Sequence, residues 1–116
     1  MEPLNPVSLE QEIAKALNSV SESIPKVSRA YDNHKTTELQ FKRDYALAFQ
    51  KAAGSVEDRK QQAVVETYDS ALKAQIAEVE YKRLLDYQRA YRDKLSAFQT
   101  LAKSVVAAYN VAGRSM

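Results

Sequence analysis

From Val56 to about Val111 the chain contains neither proline nor glycine, although helical spacing of apolar residues runs through the whole stretch. An uninterrupted helix there covers roughly 56 residues, or on the order of 84 Å at 1.5 Å per residue. That exceeds the width of a compact domain of this chain length, 116 residues. The rest of the chain must therefore lie alongside the helix. Only two glycines and three prolines occur in total, too few to supply the turns of a β or α/β chain. The expected fold class is all-α: an elongated, coiled-coil-like antiparallel helical hairpin with an additional N-terminal helix.

The punctuation divides this single helical domain into segments. Pro3 and Pro6 predict an extended arm over residues 1–7. Ser8, with Gln11 three residues later, reads as an N-cap and capping box. It opens a first helix, 8–24, whose stripe is Leu9, Ile13, Ala16, Leu17, Val20 and Ile24. Pro25 removes a backbone donor and is expected to kink or reverse the chain. A second helix, 26–53, ends at Gly54, suited to a left-handed cap. Ser55 with Asp58 then caps a third helix, 56–111.

A hairpin centred on Gly54 and Ser55 pairs residues whose numbers sum to about 109. Tyr45 then falls near Val64, Phe41 near Tyr68 and Tyr31 near Val79. His34 and Glu38, one turn apart on the second helix, are expected to touch each other and to face Leu72 and Gln75, as a buried polar pair that fixes register. The third helix carries two stripes of different phase. Val65, Tyr68, Leu72, Ile76 and Val79 form one. Tyr81, Leu84, Gln88, Tyr91, Leu95, Phe98, Ala102, Val105 and Tyr109 form another at heptad spacing. Either the N-terminal helix covers the second stripe, or Tyr91, Leu95, Phe98, Val105 and Tyr109 meet another protomer, and the two can coexist. A homo-oligomer is expected.

Catalytic chemistry finds little to work with. His34 is the only histidine and cysteine is absent, and no phosphate-binding loop, zinc motif or nucleophile triad is present. No enzyme activity, cofactor or metal is expected. Carboxylates sit one turn from Lys or Arg, as Asp69 does from Lys73 and Glu78 from Lys82, the pattern of a solvated face. No apolar run is long enough for a membrane span and no leader pattern is visible, so a cytoplasmic protein without membrane contact is expected.

A net charge of +2 creates no large field, so any nucleic-acid contact must come from local clustering. Between Tyr81 and Lys94 basic and aromatic residues interleave, the composition that holds single strands by phosphate contact and base stacking. Lys82, Arg89 and Arg92 share an outward face. Lys35 and Lys42 with Arg43, and Arg59 with Lys60 around the turn, extend the candidate basic track. The tyrosines of this stretch are either core or exposed stacking platforms.

The stretch Tyr45-Ala-Leu-Ala-Phe-Gln-Lys-Ala-Ala-Gly-Ser-Val-Glu-Asp-Arg-Lys60 resembles the hairpin turn of small all-helical proteins encoded by tailed bacteriophages and prophages. The stretch from Tyr81 to Gln99, with its Leu-Leu-Asp-Tyr and Asp-Lys-Leu-Ser-Ala-Phe-Gln strings, is similar to their second half. More distantly, the order of arm, basic helix, glycine turn and long helix is similar to UvsY-type recombination mediators of T4-like phages. That resemblance implies an oligomer that binds single-stranded DNA and works with a recombinase or another phage or host protein, in the host cytoplasm. Lys35, Lys42, Arg43, Arg59 and Lys60 would then face the DNA.

Two functions are therefore expected as alternatives. One is a non-enzymatic phage accessory protein binding single-stranded DNA in recombination or replication. The other is a coiled-coil interaction module (an adaptor, structural component or inhibitor) acting through an exposed apolar stripe.

Overall fold

The computed structural model describes residues 5–114. The chain is all-α, a helical hairpin built from α1 (Pro6–Lys51), α2 (Val56–Glu66) and α3 (Tyr68–Arg114), with no strand among the described residues. Two compact units can be distinguished: Lys26–Leu84 forms one, and the stretch up to Pro25 with that from Leu85 onward forms the other.

The first helix starts earlier than expected and does not stop at Pro25. Asn5, not Ser8, is its cap: Asn5 Oδ1 accepts from the Ser8 backbone N–H at 2.9 Å. Pro6 then takes the first helical position, where a missing N–H leaves nothing unpaired. Residues 6 and 7, expected in an extended arm, are helical; residues 1–4 of that arm lie outside the described residues. Pro25 sits inside α1 without ending it. A proline there costs about 3 kcal/mol through one lost hydrogen bond and crowding of the carbonyl four residues back. Pro25 and Ser21, which carries that carbonyl, are both exposed, so water can satisfy the freed oxygen. Meanwhile the buried positions keep their phase through the proline: Leu9, Ala16, Ser23, Ala30 and Thr37 recur every seven residues.

In the Lys26–Leu84 unit, α1 runs antiparallel to α2 and the start of α3. The turn has the predicted chemistry. Ser55 accepts from the Asp58 N–H at 3.1 Å and Asp58 Oδ2 accepts from the Ser55 N–H at 3.3 Å, a complete capping box. Gly54 has φ 107°, and a Cβ there would stand 3.1 Å from Asp58 Oδ2.

The expected third helix is interrupted once, at Thr67 (φ −101°, ψ 16°). Its hydroxyl donates to the Ala63 carbonyl at 2.6 Å, a local bond that competes with regular helix geometry. The ladder resumes at once, since the Thr67 N–H reaches Ala63 O and the Ala71 N–H reaches Thr67 O. Helical phase is kept across the join.

The pairing of helices differs from the register expected. Tyr31 packs edge-on against Tyr81 with ring centroids 5.3 Å apart, and Ser70 donates to Asp44 at 2.8 Å. Facing residues therefore sum to about 112 to 114, roughly one helical turn beyond the anticipated 109. Val64, Tyr68 and Val79, expected opposite Tyr45, Phe41 and Tyr31, are all exposed. The buried line on α2 and α3 is Ala63, Thr67 and Ala77, with Ser70, Ala74 and Tyr81 half-buried between and beside them. Spaced at 3 and 4 residues, this line leads directly into Leu84 and Gln88. The heptad stripe of α3 thus has no phase change; it extends back to Ala63 through small and polar residues.

Candidate functional site

On a helix, residues about 180° from the buried line point straight out. Val65, Tyr68, Leu72, Ile76 and Val79 occupy that position, and their fractional exposures run from 42% at Leu72 to 77% at Val65. The cause is the opposite face. Small side chains at Ala63, Thr67, Ser70, Ala74 and Ala77 occupy the seam with α1, leaving the large apolar residues of this stretch no place in it. A monomeric surface normally scatters such residues singly; a contiguous apolar row marks a surface that meets something.

The basic residues singled out by sequence are arranged otherwise. Glu38 gathers Lys42 at 3.4 Å and Lys35 at 4.0 Å, with His34 Nε2 at 3.8 Å. Lys82 bonds Glu78 at 2.7 Å, Arg89 lies 3.9 Å from Asp86, and Arg83 is bonded to Glu80. The hydrogen bond and charge of Lys82 hold the Glu78 carboxyl below its ordinary range, and Glu78 holds the Lys82 ammonium above its own. Each such cation is accompanied by a carboxylate one turn away, which weakens its field toward a phosphate. Arg59 is half-buried. Its Nε and Nη2 donate to the Phe49 carbonyl at 3.3 and 3.1 Å, and its guanidinium lies 4.3 Å from the Phe49 ring centre. The residue that the sequence placed on the DNA-facing track thus caps the end of α1 in the structure. Arg43, Lys60 and Arg92 are exposed and in no ion pair among the described residues.

Of the residues expected to meet another protomer, Leu95, Phe98 and Val105 are half-buried on the same helical phase as the buried Gln88, whereas Tyr91 and Tyr109 are exposed. Those three belong to the chain's own seam phase. The free stripe is the other one, at Val65–Val79. Within the Tyr81–Tyr91 stretch, Tyr81 is packed between Tyr31 and His34, while Tyr87 and Tyr91 are exposed. His34 stacks on Tyr81 at 5.6 Å and borders a groove lined by Glu38, Phe41, Ala71, Ala74, Gln75 and Glu78. Gln75 is there as expected; Leu72 is not. His34 Nδ1 is buried without a hydrogen-bond partner.

Among the described residues no three His, Asp or Glu side chains converge to hold a metal ion, and no helix is long and apolar enough to cross a membrane. No protein-family model, curated protein or solved structure matches the chain.

Proposed function

We propose that this chain is a non-enzymatic helical interaction module whose recognition surface is the row Val65, Tyr68, Leu72, Ile76 and Val79. The observation that carries this reading is the exposure of five large apolar side chains on one helix face, diametrically opposite the seam with α1. An amphipathic helix laid along such a row gains about 25 cal/mol per Å² of apolar surface removed from water. The acid–base pairs on neighbouring faces keep those faces hydrated and confine association to the row.

The single-stranded DNA reading, with a phage recombination role, makes a different demand. It would rest on Arg43, Lys60 and Arg92, and its affinity would fall steeply with salt. One experiment separates the two. Fluorescence anisotropy of a labelled oligonucleotide is measured against the wild type and an Arg43→Glu, Lys60→Glu variant at low and physiological salt, with light-scattering mass on the same samples. Mass above one chain that is lost in Leu72→Asp, together with weak and salt-insensitive DNA binding, supports the module. Tight binding that collapses with salt and with the two charge reversals overturns it in favour of DNA.

A further inference from the structure

We infer that the occupant of the Val65–Val79 row is the same row of a second copy of this chain, laid antiparallel about a two-fold axis at Leu72. This deepens the module reading and rests on it. The first support is the spacing. Val65 and Val79 lie seven residues either side of Leu72, and Tyr68 and Ile76 lie four either side. Reversal about Leu72 therefore maps the row onto itself. Val65 meets Val79 of the second copy, Tyr68 meets Ile76, and Leu72 meets Leu72, as the self-complementarity of a two-fold interface requires.

Charge selects the same direction. Asp69 and Lys73 flank the row on one side, are exposed, and form no ion pair among the described residues, despite being one turn apart. In an antiparallel two-fold pair, like flanks meet, so Asp69 falls within reach of Lys73 of the second copy, and the pair forms twice. In a parallel pair opposite flanks meet, and the same two charges face Val64 and Gln75, which carry none.

The absence of cysteine makes the test direct. Leu72→Cys chains are expected to join to one another through a short thiol cross-linker. Val65→Cys chains are expected to join to Val79→Cys chains when mixed, but neither to itself. Light scattering at tens of micromolar should give the mass of a dimer, and Leu72→Asp should weaken it by about thirtyfold or more with unchanged circular dichroism, because the side chain is not part of the seam. Val65→Lys is the second variant should Leu72→Asp lose helicity. A monomer at that concentration overturns the inference, as does Val65→Cys joining only to itself or a dimer indifferent to both charged variants. A monomer that binds a different protein through the row, sensitive to Leu72→Asp, overturns the self-pairing while leaving the module reading standing.

Discussion

Gln88 Nε2 donates to Ser23 Oγ at 3.1 Å, joining residues 65 positions apart in the sequence, and both side chains are buried. Ser23 in turn donates to the Val20 carbonyl at 2.6 Å. The two residues form a polar step in a seam otherwise occupied by apolar and small side chains, and such steps favour one register over its slipped neighbours. Ser23→Ala removes the acceptor and leaves a buried amide unpaired, at a cost of about 1–3 kcal/mol. Gln88→Leu removes the amide itself while Ser23 keeps its Val20 bond, so the loss should be smaller or reversed. Urea unfolding of both variants and the double variant checks this. Equal stability of Ser23→Ala and the wild type would refute the role given to the pair.

The seam in the Lys26–Leu84 unit inverts the usual sensitivity of a core. Ala77 is 4% exposed and Leu39, on α1, is 65% exposed. Ala77→Leu adds three carbons where the facing helix stands and should destabilise by about 1–3 kcal/mol. Leu39→Ala deletes a large apolar side chain yet should change stability by no more than about 0.5 kcal/mol. Thermal or urea denaturation of the two variants side by side reads the order directly, and the reverse order would mean that the seam has been misplaced.

His34 carries a buried Nδ1 without a partner while its ring stacks on Tyr81 at an interplanar angle of 12°. An unpaired buried nitrogen is a standing cost of about 1–3 kcal/mol. His34→Leu relieves it and fills similar space, giving up the ring stacking on Tyr81 and the 3.8 Å approach to the half-exposed Glu38. The variant should therefore be at least as stable as the wild type, measured by its urea midpoint at neutral pH. A loss above about 1 kcal/mol would show that the stacking on Tyr81 outweighs the orphaned nitrogen.

What the sequence made legible follows the strength of each local signal. The all-α class came from the scarcity of turn formers, and the Ser55–Asp58 box with Gly54 located the hairpin turn because capping is a short-range geometric matter. Pro25 misled because a proline on an exposed face removes one bond whereas the seam on either side of it contributes along many residues. The register and the true interior of α2 and α3 were missed for a related reason. Hydrophobic periodicity follows large side chains, and here the large ones, Val65 through Val79, point outward while Ala63, Thr67, Ser70, Ala74 and Ala77 point in. The one available signal was the unbroken 3-4 spacing from Ala63 to Val105, visible only if alanine and threonine are allowed as seam residues. The Arg59 cap left no such trace, since a side chain reaching across a turn to a carbonyl has no spacing signature of its own.

Arg59 separates a structural from a nucleic-acid role most cleanly. The Phe49 carbonyl belongs to the last turn of α1, where backbone acceptors lack helical partners, and the guanidinium fork serves it with two donors while covering the Phe49 ring. Arg59→Ala leaves that carbonyl to water and uncovers the ring, for an expected loss of about 1–3 kcal/mol. Arg59→Lys keeps the charge but not the planar, two-donor geometry, so it should recover less than half of the loss. A residue valued for its charge toward phosphate would behave differently: Lys would restore nearly everything, and the damage would appear in oligonucleotide affinity at low salt instead of in the urea midpoint. Measuring both quantities on both variants decides between the two, and a destabilisation shared by Ala and Lys with unchanged DNA binding is the expected result.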